Sequence, residues 1–308
     1  MSGKPLVTAL DTPPAAANSR LPAFAMLSDY WALTKPEVNF LILITTFAGF
    51  YLGCVNAGRH FSFFTLFNTL LGTLLVASGT ATLNQYFERK FDAQMRRTSR
   101  RPLAAGRLEP QRVLAFGIGL SLAGSIYLAV ATTMLASLLA LLALLSYLFL
   151  YTPLKRRTPL CVLVGAFPGA MPPLIGWAAA SGRLHMEAWL LYATIFLWQF
   201  PHFIAIAWMY REDYDRAGYL VLPKGSARVA VVILQTLLPL LVLVPISFAQ
   251  FPVLHPAIFY WGVRLLAVAF LYFGLEFVLQ QSRGAARRLL AASIVYLPLL
   301  FVLRVALH

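Results

Sequence analysis

The sequence predicts an all-helical protein that crosses a membrane about nine times. Hydrophobic residues make up 60% of its 308 positions and charged residues only 12%, a balance that excludes an ordinary water-soluble domain. Apolar runs of roughly 20 residues, enough for a helix to cross about 30 Å of hydrocarbon, recur along the chain. The basic residues concentrate in alternate connections between these runs. The net charge of +14 therefore reflects membrane topology, and no nucleic-acid partner is predicted.

Nine apolar runs predict the helices, with ends defined to within about four residues. The third and fourth runs are separated only by a short turn near Ala131 to Thr133, so one longer helix is the alternative there. The fifth run is unusually rich in Gly and Pro, which permits either close helix packing or a broken helix that lines a cavity. The predicted spans are 37–55, 64–86, 111–131, 133–151, 159–180, 186–209, 229–249, 256–279 and 289–307.

The distribution of Lys and Arg predicts the orientation of the chain. With the N-terminus inside, 21 of the 25 basic residues lie on the inner side, so the N-terminus and the arginine-rich loops are predicted to be cytoplasmic. Residues 1–25, rich in Ala, Pro and small polar residues, are predicted to form a disordered cytoplasmic tail. Residues 26–308 are predicted to form a single membrane-embedded domain, and aromatic residues near Lys35 indicate a short interfacial helix before the first span.

The segment that ends the second run, NQYFERKFDAQMRRTSRRPL, carries the chemistry of a phosphate site. In a helix, Asn84, Glu88 and Asp92 are spaced four residues apart, which places their oxygens on one face. Such oxygens suit Mg²⁺, which binds through one or two carboxylates, waters and substrate phosphates. The guanidinium groups that could hold the remaining phosphate oxygens belong to Arg96, Arg97, Arg100 and Arg101. The segment favours a metal-bound polyphosphate site; the alternative is a solvated helix end.

A second acidic cluster follows the sixth run on the same side of the membrane. It contains Asp213 beside Arg211, and the order of acids followed by basic residues matches the first cluster. This weak symmetry predicts two half-sites that face one another. Lys155, Arg156 and Arg157 form a further cytoplasmic basic cluster, either as ordinary positive-inside charge or as a clamp for a nearby diphosphate.

Two polar side chains lie inside the sixth run, where solvation does not explain them. Gln199 and His202 precede the second acidic cluster by one to three helical turns, and Pro201 between them predicts a kink. Each is either a packed hydrogen-bonding residue or a functional group.

Four segments together resemble the intramembrane prenyltransferase superfamily that includes 4-hydroxybenzoate polyprenyltransferase, and within it the branch that farnesylates haem. The resemblance extends from about Leu33 to the last span. The segments are NQYFERKFD followed by MRRTSRRPLAAG, YTPLKRRTP, GAFPGAMPPLIGWAA, and FLWQFPHFIAIAWMYREDYDRAG with LP at 222–223.

The resemblance implies nine helices around a central cavity, with a cytoplasmic cap formed by the loops after the second and sixth spans. It implies transfer of the farnesyl group of farnesyl diphosphate to a vinyl group of haem b, with Mg²⁺ as cofactor. It also implies an integral protein of the bacterial cytoplasmic membrane, with a haem A synthase or terminal oxidase assembly proteins as candidate partners.

The resemblance also implies roles for individual residues. The catalytic residues it implies are Asn84, Glu88, Asp92, Asp213 and Lys155, of which all but Lys155 are also implied metal ligands. The substrate-binding residues predicted from their chemistry and position are Arg96, Arg97, Arg100, Arg101, Arg156, Arg211, Gln199 and His202. For His202, axial ligation of haem, positioning of a propionate or water, and a purely structural role remain open.

The chain departs from the superfamily pattern at two positions. Glu88 replaces the usual Asp but keeps a carboxylate. The positions four residues from Asp213 are Met209 and Ala217, which leaves a complete second metal site in doubt. Asp213 could then hold a metal together with a neighbouring acid, orient Lys155, or pair with arginines.

Three other functions remain open. The same reaction on another aromatic acceptor would need the same motifs. A transporter would place carboxylates near the bilayer midplane, whereas those of this chain cluster at helix ends. A non-catalytic haem-handling assembly factor would not need a magnesium-diphosphate site.

Overall fold

The computed structural model describes residues 23–223, 225–246 and 256–306, and over these residues every regular element is a helix. In this part of the chain, nine helical stretches are long and apolar enough to cross a membrane, which confirms the predicted fold class. The predicted tail lies mostly outside the described residues, and the first helix begins at Ala23, inside the range assigned to that tail.

The described elements are thirteen α-helices and one π-helical turn, several of which combine into single membrane spans. They are α1 (Ala23–Leu33), α2 (Pro36–Asn56), α3 (Phe63–Asp92), α4 (Pro110–Ala131), α5 (Met134–Leu145), the π-helical turn (Ser146–Tyr151), α6 (Thr152–Leu154), α7 (Cys161–Gly169), α8 (Met171–Ser181), α9 (Met186–Met209), α10 (Arg211–Arg216), α11 (Ser226–Ile246), α12 (Pro256–Gln280) and α13 (Arg283–Ala306).

The short turn between α4 and α5 separates two helices, as predicted from the sequence. The Thr133 hydroxyl caps α5 by accepting a hydrogen bond from the Ala136 backbone N–H at 3.1 Å. The same hydroxyl donates to the Ala178 carbonyl in α8 at 3.2 Å. Thr133 therefore both starts α5 and ties the turn to the interior of the bundle.

The fourth span widens into the π-helical turn before it ends in α6. Tyr147 and Tyr151 belong to this turn, and Lys155 follows α6 directly. A π-helical turn inside a helix changes the angular position of every later side chain, and such turns are frequent at functional sites. The turn thus sets the direction in which Thr152 and Lys155 point.

The fifth span is broken, and it is also the most closely packed. Helix α7 ends at Gly169 and α8 begins at Met171, with prolines at 172 and 173 that cannot donate backbone hydrogen bonds. Every residue of α8 is buried. A methyl group at Gly49 would overlap the Pro173 carbonyl, and one at Gly176 would overlap the Thr46 carbonyl. The fifth span is therefore both a broken helix and a closely packed one, the two possibilities that its composition allowed.

We expect Gly49→Ala to lower the thermal stability of the purified protein. The added methyl group meets backbone atoms, so α2 and α8 must separate, and overpacking of this kind costs about 1–3 kcal/mol. Gly119→Ala, on an exposed face of α4 with open space around it, is the matched control and should be neutral or slightly stabilising. Equal melting temperatures for the two variants would contradict the close α2–α8 contact.

Two hydrophobic cores lie side by side and share α9. Residues from α2, α3, α5 and α8 form the first core, which α9 enters through Leu191 and Ile195. Residues from α7, α11, α12 and α13 form the second core, which α9 enters through Phe200 and Ile204. Pro201 lies between these two contact regions. Helix α9 therefore connects the two halves of the bundle.

Helix α1 packs over the loop that follows α3. Leu33 is fully buried against Leu103, Leu108 and Val113. The Asp29 carboxylate accepts hydrogen bonds from the Arg107 guanidinium, at 2.9 Å from both Nε and Nη2. Because α1 fixes this loop by both apolar and ionic contacts, the arginines of the loop are held beside the end of α3.

Candidate active site

Asn84, Glu88 and Asp92 lie on one continuous helix, because α3 extends six residues beyond the predicted end of its span. Their exposed fractions are 1%, 5% and 1%. Two carboxylates and an amide on one buried face are costly unless each is paired, since burial removes the water that would otherwise solvate them. The structure supplies such pairing at all three positions.

A basic side chain contacts each of these three residues. We call these basic residues the cation shell: Lys35 contacts Asn84, Lys155 contacts Glu88, and Arg101 contacts Asp92. The Lys35 ammonium donates to Asn84 Oδ1 at 3.2 Å, and the Lys155 ammonium donates to Glu88 Oε1 at 2.8 Å. The Arg101 guanidinium donates to Asp92 Oδ2 at 2.7 Å. The cation shell neutralises the acidic face and gathers positive charge around it.

Lys155 is enclosed by aromatic rings as well as by Glu88. Its ammonium lies 4.5 Å from the Tyr151 ring centroid and 5.9 Å from that of Tyr147. Although burial alone would lower the pKa of Lys155, the Glu88 carboxylate and the two tyrosines raise it well above its ordinary value. The Glu88 carboxylate and the two tyrosine rings therefore favour the protonated form of Lys155 and hold its ammonium in place.

Tyr219 completes the surroundings of Glu88, and sequence reasoning did not identify it. Its hydroxyl donates to Glu88 Oε1 at 3.1 Å. Burial and the nearby Glu88 charge raise the pKa of Tyr219, so the phenol stays protonated and remains a donor. A lone tyrosine after Gly218 in a loop carries no motif, so the only signal was its position just beyond the second acidic cluster.

Lys35 was also not predicted as a site residue from the sequence. There it counted only towards the excess of positive charge on the inner side of the membrane. It adopts a left-handed conformation with φ of 52° immediately before Pro36, an unusual state for a residue with a long side chain. Side-chain hydrogen bonds fix the two residues before it, because Gln85 donates to the Leu33 carbonyl and Asn39 donates to the Thr34 carbonyl. Burial, with added repulsion from Arg101, lowers the pKa of Lys35 to about 7.

We expect the metal-free protein to gain stability relative to Lys35→Met as the pH rises from about 7 to about 9. Below about pH 7 Lys35 is protonated in both the folded and the unfolded chain, so the cost of its buried charge is fully present. Above that pH the folded protein loses the proton while the unfolded chain keeps it, so the unfolded chain binds more protons and folding is favoured. Melting temperatures measured in chelator as a function of pH test this prediction. It would be contradicted if the melting temperatures of the wild type and Lys35→Met changed in parallel with pH. Lys90→Met, at an exposed position on the same side, is the control and should follow the wild type.

The loops after the second, fourth and sixth spans meet at this site. The Leu220 backbone N–H donates to the Lys155 carbonyl at 2.7 Å. The Arg97 guanidinium lies 5.4 Å from the Tyr210 ring centroid. The loop after the sixth span therefore reaches the acidic face of α3, and Tyr219 is the residue from that loop that touches it.

Asp213 forms an ion pair within its own loop. Asp213 lies on α10 and pairs with Arg216, one turn further along, at 3.2 Å. Arg211 donates to the Trp208 carbonyl and lies 5.3 Å from the Trp208 ring centroid. The metal and substrate roles inferred for these two residues remain predictions, since their described contacts stay within their own loop and the end of α9.

The four arginines predicted to hold phosphate divide into two groups. Arg101 is part of the cation shell, whereas Arg96, Arg97 and Arg100 are exposed to solvent. The side chain of Arg156 is also exposed, with its guanidinium 4.2 Å from the Phe91 ring centroid. Only Arg101 of these residues contacts an acid of α3 in the described part of the chain.

Gln199 and His202 make contacts of a structural kind. Gln199 donates to the Ala166 carbonyl at 3.0 Å beside the break in the fifth span, where a methyl group at Gly169 would overlap its side-chain oxygen. His202 Nδ1 lies 2.8 Å from the Ser293 hydroxyl, and its ring stacks on Trp198 with centroids 4.7 Å apart. Both residues join neighbouring helices, and their predicted substrate roles remain predictions.

The donor set fits a magnesium ion that is brought with a diphosphate. Asn84, Glu88 and Asp92 present oxygen atoms, which Mg²⁺ prefers, from one helix face. Among the described residues no three His, Cys, Asp or Glu side chains are grouped closely enough to form a protein cage for a metal. Such an incomplete set is expected where phosphate oxygens and waters supply the remaining ligands. With a diphosphate bound, the side chains of the cation shell could donate hydrogen bonds to phosphate oxygens in place of the side chains of α3.

Over the described residues, nine membrane-spanning helices and a buried row of side-chain oxygens at the end of the second span fit an intramembrane prenyltransferase. The sequence pattern of the UbiA prenyltransferase family matches residues 42–299, and the chain belongs to this family.

Relatives of the chain carry a more specific name. "Protoheme IX farnesyltransferase" of Solibacter usitatus is 44% identical over 282 residues, covering 89% of this chain and 97% of the relative. The Koribacter versatilis protein of the same name is 40% identical and covers 90% of this chain and 92% of the relative. "Protoheme IX farnesyltransferase, mitochondrial" of Arabidopsis thaliana is 36% identical, covering 94% of this chain and 68% of the relative.

Solved structures show the same fold at low sequence identity. A digeranylgeranylglyceryl phosphate synthase superimposes with a TM-score of 0.72 at 15% identity, covering 92% of this chain and 98% of the other. A UbiA homologue from Archaeoglobus fulgidus bound to GPP and Mg²⁺ superimposes with a TM-score of 0.63 at 13% identity, covering 91% and 100%. The fold is therefore shared with a protein whose structure was solved with GPP and Mg²⁺ bound.

Proposed function

We propose that this chain transfers the farnesyl group of farnesyl diphosphate to a vinyl group of haem b and thereby forms haem O for terminal oxidases. The observation that carries the proposal is the buried face of Asn84, Glu88 and Asp92 with its cation shell. The names of relatives at 36–44% identity indicate that the acceptor is haem b and that the prenyl group is farnesyl.

The cation shell binds and orients the diphosphate in this proposal. Asn84, Glu88 and Asp92 would hold Mg²⁺, which when bound supplies Lewis-acid stabilisation of the charge on the departing phosphate oxygen. Lys35, Lys155 and Arg101 lie within hydrogen-bond reach of those ligands, so phosphate oxygens at the same place would receive their donors. Stabilisation of the leaving group favours cleavage of the allylic C–O bond.

The farnesyl cation then needs surroundings that exclude water and attract positive charge. Tyr147, Tyr151 and Tyr219 surround the Lys155 ammonium and present ring faces beside Glu88. Such faces attract a cation electrostatically. The haem vinyl group attacks the cation through its terminal carbon, and water adds to the other vinyl carbon with loss of a proton. The balanced products are the hydroxyethylfarnesyl haem, diphosphate and one proton.

We also infer that the site faces the cytoplasm of a bacterial cell, with the loops after the second and sixth spans as its cap. The contact of Tyr219 with Glu88 and that of Leu220 with Lys155 support this arrangement of the loops. The concentration of basic residues on the same side supports the orientation. A haem A synthase or oxidase assembly protein would receive the product.

The reaction of the purified protein in lipid with haem b, farnesyl diphosphate and Mg²⁺ tests the proposal. Mass spectrometry should detect a hydroxyethylfarnesyl haem, and a chelator should abolish its formation. Prenylation of an aromatic acid in place of haem would keep the fold and the metal site but refute the acceptor. A product that forms equally well in chelator would refute the magnesium role.

A further inference from the structure

A cavity of about 580 Å³ opens beside Glu88, between the end of α3 and the segment that contains the π-helical turn and α6. Its walls carry the aromatic rings of Phe87, Phe91, Phe149 and Tyr219. Ligand pockets of proteins have volumes of about 300–1,000 Å³, so this cavity has room for a sizeable organic molecule. Ring faces of this kind favour a flat, apolar ligand that can stack against them.

Two arginines line the same cavity. Arg156 and Arg157 follow Lys155 in the chain, and both are exposed. The Arg156 guanidinium is already oriented by its stacking on Phe91, at 4.2 Å. The ion pairs of the described residues occupy Lys155, Arg101, Arg107, Arg112, Arg216 and Arg288, and leave these two guanidinium groups available for an external anion. A guanidinium fork matches a carboxylate in geometry as well as in charge.

The wall of the cavity also includes exposed apolar side chains of membrane-spanning helices. Phe87 and Phe149 on its wall are 43% and 61% exposed on helices that span the bilayer. A ligand with an apolar body could enter from the lipid while its acidic groups stay near the cytoplasmic surface beside the arginines. The cavity therefore fits a flat amphiphile that bears carboxylates.

The residues of the acidic face differ in their distance from the cavity, which suggests where each of the two substrates would lie. Asn84 and Asp92 are held by Lys35 and Arg101, which makes that part of the face suitable for a diphosphate. Glu88 is the member of the face that also forms part of the cavity wall. An acceptor in the cavity would thus meet the reacting carbon of the diphosphate substrate near Glu88.

We propose that this cavity is the acceptor site, and that Arg156 and Arg157 bind the two propionates of haem b while the aromatic walls stack on the porphyrin. The assignment rests on the proposed function, from which it takes the identity of the acceptor. Arg156 and Arg157 then set specificity for a dicarboxylate macrocycle.

Absorbance titration of haem b into the protein in lipid nanodiscs, without farnesyl diphosphate, tests this assignment. Loss of two solvent-exposed guanidinium–carboxylate pairs should weaken haem binding about 10- to 30-fold in Arg156→Gln/Arg157→Gln. The dimethyl ester of the same haem lacks the carboxylates, so it should bind the wild type and the variant equally. The matched control, Arg283→Gln/Arg287→Gln, removes two exposed arginines at the start of α13 and should leave haem binding unchanged.

Three outcomes would overturn the assignment. Equal affinity of the wild type and the Arg156/Arg157 double variant for haem would refute it while the farnesyl-transfer reaction itself stands. A raised KM for farnesyl diphosphate with unchanged haem affinity would assign the arginines to the diphosphate. A wild-type protein that neither binds nor farnesylates haem would refute the proposed function, and the assignment with it.

Discussion

Replacing Glu88 with glutamine is expected to lower kcat on the order of 10³-fold, because the proposed metal site loses one charged ligand beside the leaving group. The amide keeps the size of the side chain and can still accept from Lys155 and Tyr219, which contact Oε1 in the wild type. The loss of activity would therefore report the missing charge. Product formation measured by mass spectrometry under saturating Mg²⁺ gives the rate.

The Glu88→Gln variant also leaves the buried Lys155 ammonium without its carboxylate, which alone could destabilise the fold. The double variant Glu88→Gln/Lys155→Met removes both charges and should recover thermal stability but not activity. Glu276→Gln is the matched control, since Glu276 is an ion-paired acid near the end of another membrane-spanning helix. Normal turnover in folded Glu88→Gln protein would contradict the metal role of Glu88.

Replacing Lys155 with methionine is expected to lower kcat/KM for farnesyl diphosphate about 100-fold. Lys155 contacts the acidic face through Glu88, and in the proposed reaction its loss removes a donor from the departing diphosphate. The effect should fall on both KM and kcat, because the ammonium contacts the diphosphate in the bound state and more strongly as charge develops.

Lys90→Met is the control for this variant, since Lys90 is an exposed lysine on the same helix as Glu88. It should retain normal kinetics. An unchanged KM for farnesyl diphosphate in Lys155→Met, with kcat also unchanged, would show that Lys155 serves only to balance the charge of Glu88 in the free protein.

Hydropathy was sufficient to predict the membrane spans, because each span must satisfy its own backbone hydrogen bonds in lipid and is therefore a helix of fixed minimum length. The third and fourth spans were separated correctly from the short turn near Thr133. The π-helical turn from Ser146 to Tyr151 and the length of α3 could not be predicted in this way. Both depend on side-chain packing between helices, which a hydropathy profile does not contain.

The acidic face was predictable from spacing alone, since residues four apart share a helix face in any α-helix. The side chains that contact this face, the cation shell and Tyr219, were only partly predictable. Arg101 and Lys155 belonged to basic runs, but Lys35 and Tyr219 lie 49 and 131 residues from the side chains that they contact. Contacts over such distances along the chain arise from tertiary structure, and a single sequence carries no direct signal of them.

Binding of Mn²⁺, used as a spectroscopic substitute for Mg²⁺, tests the central claim that Asn84, Glu88 and Asp92 hold a metal-diphosphate complex. Electron paramagnetic resonance should show protein-bound Mn²⁺ in the wild type when inorganic diphosphate is present. Binding should weaken about 10- to 100-fold in Glu88→Gln and in Asp92→Asn but stay unchanged in Glu276→Gln. Equal Mn²⁺ binding by all four proteins would contradict the account, because the metal would then lie elsewhere.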